Sequence, residues 1–119
     1  MARTYKTIKG VSTAVARCVV QDLAYASGRW VYSGKQFTME DKEKIRNIAM
    51  CIEGLLIRAD GRYWGDVLSD IERMCSMDFH LGFHAQDMIL DTCRRCGIRI
   101  LPESLRRRNH HESVSSLEG

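Results

Sequence analysis

The histidines and cysteines of this chain gather in residues 75–96, which hold three of its five cysteines and two of its four histidines. The stretch contains His80-x3-His84 followed by Cys93-x2-Cys96. Each pair has a spacing that points both side chains the same way from a helix. Zinc requires such ligands to converge to within about 2.0–2.3 Å of one point. The pattern therefore raises the possibility of a zinc-stabilised domain.

The helix that must carry these ligands argues against a single zinc site. If residues 83–96 form one helix, His84 lies on its polar face, whereas Cys93 and Cys96 lie on its apolar face. His84 and Cys93 are also separated by about 13 Å along the helix axis. Because free cysteine is commonly buried, we predict that both cysteines belong to the core and that the protein uses no metal or other cofactor.

Asp22 is the other candidate for chemistry, because helical spacing places it on an apolar face of the first predicted helix. A buried carboxylate must be paired, hydrogen-bonded or protonated. We predict an ion pair with an arginine of another helix, with a catalytic acid as the alternative. The sequence has no recognisable nucleophile context, phosphate-binding loop or dinucleotide-binding motif. We therefore expect no enzyme and assign no catalytic residues.

The apolar periodicity predicts an all-α fold, a compact bundle of about four helices. The first predicted helix covers residues 12–27, with Ser12 as N-cap and Gly28 as the stop. The second is opened by a capping box of Thr38 and Asp41 and is ended by Asp60-Gly61. The third covers residues 63–75 and buries Met74 and Cys75, and the fourth runs from 78 or 83 to 96, where Gly97 closes it. An aromatic connector, residues 29–37, joins the first two helices. We divide the chain into a single helical domain, residues 1–102, and a basic, partly disordered flexible tail, residues 103–119.

The composition is that of an ordinary globular protein, with 45% hydrophobic and 28% charged residues in 119. The odd number of cysteines favours free thiols in a reducing compartment, so we expect a cytoplasmic protein. No segment has the roughly 18–20 apolar residues of a membrane span. The N-terminal residues lack the apolar core of a signal peptide.

Charge is unevenly distributed along the chain. Residues 1–37 hold six Lys or Arg and one acid, residues 38–92 hold six and 11, and residues 93–119 hold six and three. Basic ends and an acidic middle indicate an acidic partner, contact between like subunits, or neutralisation within one fold. Arginine clusters can also grip phosphates. The candidate nucleic-acid-binding residues are Arg94, Arg95, Arg99, Arg106, Arg107 and Arg108.

The second helix has a further apolar side, formed by Met50, Gly54 and Ile57. A helix that is apolar on two sides is central to its fold or shared with a partner. We predict that these residues bind a protein partner together with Asp66 and Asp70 of the third helix, and a homodimer is possible.

We therefore interpret the chain as a small, non-enzymatic helical interaction and regulatory protein. It would dock on a larger protein or a nucleic-acid-handling assembly, and one form of this hypothesis makes it an inhibitor of that assembly. The alternatives are a sequence-independent nucleic-acid-binding protein that uses its basic terminal arms and, second, the zinc-stabilised domain.

Overall fold

A computed structural model describes residues 5–29, 37–75 and 80–105. It contains four α-helices: α1 Ile8–Ala26, α2 Met39–Ile57, α3 Trp64–Met74 and α4 Phe83–Arg95. Within these ranges the only extended pairing is an isolated parallel bridge between Tyr63 and Leu101. The predicted all-α bundle is thus confirmed. Most of the aromatic connector, residues 30–36, and most of the tail, residues 106–119, lie outside the described residues.

Helix α1 begins four residues before the predicted N-cap. Thr7 is the N-cap, and its hydroxyl accepts a hydrogen bond from the Gly10 amide at 3.0 Å. The prediction of Ser12 as N-cap is wrong, because Ser12 is buried within the helix and its hydroxyl donates to the Ile8 carbonyl at 2.6 Å. The additional turn brings Ile8 against the central core. Tertiary packing therefore selects Thr7 over Ser12.

Glycine ends two helices, as predicted. Gly28 after α1 has φ 85° and Gly97 after α4 has φ 78°. In each case the next amide reaches back to the last turn: Arg29 N donates to Ala24 O, and Ile98 N donates to Cys93 O, both at 2.8 Å. These are Schellman motifs, which favour glycine because its φ is positive. The first one fixes the position of Arg29 beside the start of α2.

Helix α2 packs against both α1 and α3. Its start is the predicted capping box, in which Thr38 accepts from Asp41 N and Asp41 accepts from Thr38 N, each at 3.0 Å. One face carries Ile52 and Leu56, both fully buried, into the main core. The main core also takes fully buried side chains from the other three helices: Val11, Val15, Val19, Val67, Ile71, Ile89 and Cys93.

A second, smaller cluster joins the C-terminal half of α1 to the N-terminal half of α2. It consists of Ala16, Val20, Ile45 and Ala49, with Phe37 packed against it. Phe37, the last residue of the predicted connector, is partly buried. The α1–α2 pair is therefore packed along most of its length.

Three predictions of burial are wrong. Met74 is 44% exposed, because it is the last residue of α3 and lines the open groove between α2 and α3. Cys96 is exposed at the C-cap of α4, where its thiol donates to the Lys6 carbonyl at 3.5 Å. Asp22 is also exposed, and it is treated with the charged residues below.

The segment after α4 is tied to the α2–α3 turn. Leu101 N donates to Arg62 O and Trp64 N donates to Leu101 O, both at 2.8 Å. The Glu103 carboxylate then accepts from Gly65 N at 2.7 Å, which satisfies an amide in the first turn of α3. Glu103 lies one residue beyond the predicted end of the helical domain, yet it contacts that domain.

Candidate functional site: the exposed side of α2 and its two grooves

The predicted second apolar side of α2 faces outward. Met50 is 65% exposed and Ile57 is 60% exposed. A Cβ atom built on Gly54, which lies between them, would meet nothing within 4 Å. The side chains at 50, 54 and 57 share one helix face because of their four- and seven-residue spacing. The described residues therefore leave this face open.

A groove of about 490 Å³ lies on one side of this face, between α1 and α2. We call it the basic groove. Its lining residues are Lys9, Thr13, Arg17, Phe37, Lys42, Ile45, Arg46, Ala49, Met50 and Glu53. Its floor is apolar, whereas its rim carries four cations and a single carboxylate.

The four cations of the basic groove are Lys9, Arg17, Lys42 and Arg46, and all four side chains are exposed. None of them forms an ion pair with a residue in the described ranges. Lys42 and Arg46 are also four residues apart on one helix, a like-charge spacing that is slightly unfavourable. This rim therefore carries positive charge that the described part of the fold does not neutralise.

A second groove, of about 450 Å³, lies on the other side of the same face, between α2 and α3. We call it the α2–α3 groove. Its lining residues are Met50, Cys51, Gly54, Leu55, Arg58, Arg62, Asp70, Arg73 and Met74. It thus brings together Met50, Gly54 and Asp70 of the five predicted partner-binding residues.

The two acidic residues predicted for partner binding differ in their surroundings. Asp70 accepts a hydrogen bond from Arg62 at 2.8 Å, and both side chains are about one-third exposed, at 32% and 37%. Its charge is therefore largely neutralised within the fold. Asp66 is exposed on the first turn of α3 and does not line either groove.

The arginines predicted to bind nucleic acid are dispersed. Arg95 is paired with Asp91 at 3.0 Å. Arg94 and Arg99 line a smaller groove of about 320 Å³ at the end of α4, with the apolar residues Leu90, Ile98 and Ile100. Arg106, Arg107 and Arg108 lie outside the described residues. Of the three described arginines the structure therefore brings two together.

The histidine and cysteine stretch does not form a shared cluster where it is described. His84 is exposed, whereas Cys93 is fully buried, as the helix geometry predicts. His80 is 94% exposed and lies 3.4 Å from the Glu72 carboxylate. The described ranges contain no group of three or more His, Cys, Asp or Glu able to hold a metal ion.

The buried thiols are poor nucleophiles. Burial raises the pKa of both Cys75 and Cys93 to about 11, with a smaller contribution from a neighbouring cysteine in each case. A thiol with such a pKa is overwhelmingly protonated at neutral pH and is therefore unreactive. These cysteines act as apolar core residues.

Among the described residues the buried carboxylate is Asp41, and the predicted burial of Asp22 is wrong. Asp22 is exposed, although partial desolvation raises its pKa, and no described arginine pairs with it. Asp41 is 3% exposed and accepts two hydrogen bonds from the Arg29 guanidinium, at 2.7 and 3.1 Å. The hydrogen bonds from Arg29 and then from Thr38 lower the pKa of Asp41 to about 2.

The Arg29–Asp41 pair joins the end of α1 to the start of α2. Asp41 is anchored by the capping box, and Arg29 is held by the Schellman turn at Gly28. The pair therefore fixes how the two walls of the basic groove approach each other.

The sequence matches no protein-family model, no curated protein and no solved structure. Among the described helices none is long and apolar enough to cross a membrane. Function must therefore be argued from the surface of the molecule.

Proposed function

We propose that this chain is a non-enzymatic interaction protein that docks on a partner protein through the exposed side of α2. The observation that carries the proposal is that Met50 and Ile57 remain 65% and 60% exposed on the face opposite the buried Ile52 and Leu56. An apolar side chain exposed singly needs no explanation. Here two lie on one helix face, with Gly54 open between them.

The energetic scale fits a docking surface. Complete burial of one large apolar side chain is worth about 1.5–3 kcal/mol, so covering the exposed parts of Met50 and Ile57 would contribute on the order of 2–4 kcal/mol. Met74, which is 44% exposed, borders the same face across the α2–α3 groove. A partner that covered this side would bury apolar groups from two helices at once.

A different protein fits this face better than a second copy. In a two-fold dimer the same patch meets itself. Contact centred on Met50 would bring the rims of two basic grooves toward each other, and those rims carry unneutralised cations. Docking on a larger assembly, including one that handles nucleic acid, would give the chain a regulatory or inhibitory role.

The test is co-purification with the tagged full chain, comparing the wild type with the double variant Met50→Ala, Ile57→Ala. The matched control is Met39→Ala, because Met39 is 79% exposed but lines neither groove. We expect the wild type and the control to recover the same partner protein in a fixed ratio. The double variant should recover at least about tenfold less of that protein. Recovery that is equal for all three chains would contradict the proposal.

Native mass spectrometry of the same samples separates partner docking from self-association. We expect a monomer for the purified wild-type chain. A dimer that the double variant dissociates would assign the face to a second copy and overturn docking on a different protein.

Nucleic-acid binding is a second candidate, and it has its own observation. Arg94 and Arg99 are exposed side by side in one groove and form no ion pair with described residues. Binding of a single-stranded oligonucleotide should weaken steeply as salt rises. The double variant Arg94→Ala, Arg99→Ala should reduce both the affinity and the salt slope. An affinity that does not change in the variant would exclude these residues.

A further inference from the structure

We propose that the basic groove binds an acidic amphipathic helix of the partner protein. This inference rests on the proposed docking function and specifies the chemistry of the segment that docks. The groove is elongated, because its α1 wall runs from Lys9 to Arg17 and its α2 wall from Lys42 to Glu53. At 1.5 Å per residue these walls are about 12 and 16 Å long, or two to three turns of a guest helix.

The lining of the groove matches two faces of such a guest. The floor offers Phe37, Ile45, Ala49 and Met50 to apolar side chains spaced at i, i+3, i+4 and i+7. The rim offers cations to the acidic residues that flank this apolar stripe. A helix laid in the groove would therefore bury apolar area and neutralise charge in one step.

Charge complementarity also excludes the undescribed parts of this chain as the occupant. Of the residues outside the described ranges, 1–4 and 30–36 carry one cation each and no acid. Residues 106–119 carry three arginines and two glutamates. Residues 76–79 carry one aspartate but number only four. Taken whole, none of these segments combines a net negative charge with the length of a two-turn helix.

Nucleic acid fits the same groove less well than a peptide. Sequence-independent binding of single strands relies on aromatic side chains on which successive bases stack. Among the described residues, Phe37 is the one aromatic residue that lines the groove. The rest of its described floor is aliphatic and offers no further surface for base stacking.

The experiment uses a defined probe, a fluorescently labelled helical peptide of about 15 residues with leucines on one face and glutamates beside them. Its matched control has lysine at each glutamate position. The full chain is titrated into each peptide and anisotropy is recorded. We expect the acidic peptide to bind at least about tenfold more tightly than the basic one, with an advantage that shrinks as salt rises.

Two double variants locate the binding. Arg17→Glu with Arg46→Glu reverses two unpaired cations of the basic groove. It should lower the affinity for the acidic peptide about tenfold, because a few charges on the rim contribute about that much. Arg58→Glu with Arg73→Glu reverses two exposed cations of the α2–α3 groove and should change the affinity less than about twofold. If the first pair fails to fold, as judged by circular dichroism, the neutral pair Arg17→Gln, Arg46→Gln replaces it.

Several outcomes would overturn the inference. These are no saturable binding of the acidic peptide, equal loss in both double variants, or tighter binding of a single-stranded oligonucleotide that depends on Arg17 and Arg46. A partner recovered by the tagged chain tells the two proposals apart. If Met50→Ala, Ile57→Ala abolishes its recovery but reversal of Arg17 and Arg46 does not, docking stands and the acidic helix is excluded.

Discussion

Two grooves flank α2 and share Met50, but they differ in the number of cations that lack an ion-pair partner. In the α2–α3 groove Arg62 is hydrogen-bonded to Asp70 at 2.8 Å, and two cations, Arg58 and Arg73, form no ion pair with described residues. In the basic groove four cations lack such a partner among the described residues. Both grooves have an apolar component, so apolar exposure alone does not say what binds. The difference in charge is what assigns the acidic segment of a partner to one groove.

The two grooves are also held together by different means. The walls of the basic groove are joined by the buried Asp41 and by a small apolar cluster. In the α2–α3 groove an ion pair joins the turn after α2 to α3, and both of its side chains are about one-third exposed. A partly exposed pair is worth little, whereas a buried, multiply hydrogen-bonded carboxylate is worth more. We therefore expect the basic groove to be the more rigid of the two.

The largest predicted effect is on stability, and it compares adjacent residues on the buried and the exposed face of α2. Leu56→Ala should lower the free energy of unfolding by about 3 kcal/mol, because Leu56 is fully buried and its truncation leaves a cavity in the core. Ile57→Ala should change it by less than about 0.5 kcal/mol. Urea denaturation measures both. Similar losses at the two positions would show that Ile57 is not free surface.

The next prediction compares the ion pairs that hold the grooves. Asp41→Asn should cost about 2 kcal/mol at neutral pH, because it removes charge-assisted hydrogen bonds from a buried acceptor. Asp70→Asn should cost less than about 1 kcal/mol, because its pair with Arg62 is screened by solvent. The same denaturation experiment tests both variants. An equal loss of unfolding free energy would contradict the expectation that the basic groove is the more rigid of the two.

The pH dependence of stability should follow Asp41. Its pKa is lowered from 3.8 to about 2, so between these values the unfolded chain binds the extra proton. The stabilisation is therefore complete above about pH 4 and is lost as the pH falls toward 2. Unfolding free energies of the wild type and Asp41→Asn, measured from pH 6 down to 2, should converge at the acidic end. A difference that stays constant would contradict this origin.

Much of the fold was predictable because its helix ends carry local signals. The capping box at Thr38 and the stops at Gly28 and Gly97 depend on residues within a few positions of one another. The start of α1 was not predictable in this way, since Thr7 and Ser12 are both acceptable caps. Only the packing of Ile8 against the core decides between them.

The error at Asp22 has a physical cause in the path of α1. Helix α1 buries Val11, Val15 and Val19 in the main core, whereas beyond Val19 its buried side chains are Val20 and Ala24. The buried face thus rotates along the helix as its contacts change. A helical wheel that assumes one face for all of α1 places Asp22 inside, although it lies outside.

The open face of α2 was visible in the sequence, but the basic groove was not. Met50, Gly54 and Ile57 lie on one helix and follow one periodicity. The four groove cations come in two pairs, Lys9 with Arg17 and Lys42 with Arg46, on helices that only packing brings together. Each pair has a same-face spacing, which becomes meaningful once α1 is known to lie along α2.

The smallest predicted effect is also the sharpest test of the comparison, because folding and docking should respond with opposite signs. Gly54→Ala should stabilise the free protein by about 0.5–1 kcal/mol, since glycine in a helix interior is unfavourable and the added methyl group meets nothing within 4 Å. The same methyl group would separate a partner from the α2 backbone. We expect a higher melting temperature together with weaker recovery of the partner. Binding of the acidic peptide should not change, because Gly54 lines only the α2–α3 groove. Stabilisation with full recovery of the partner would place docking on the basic groove alone.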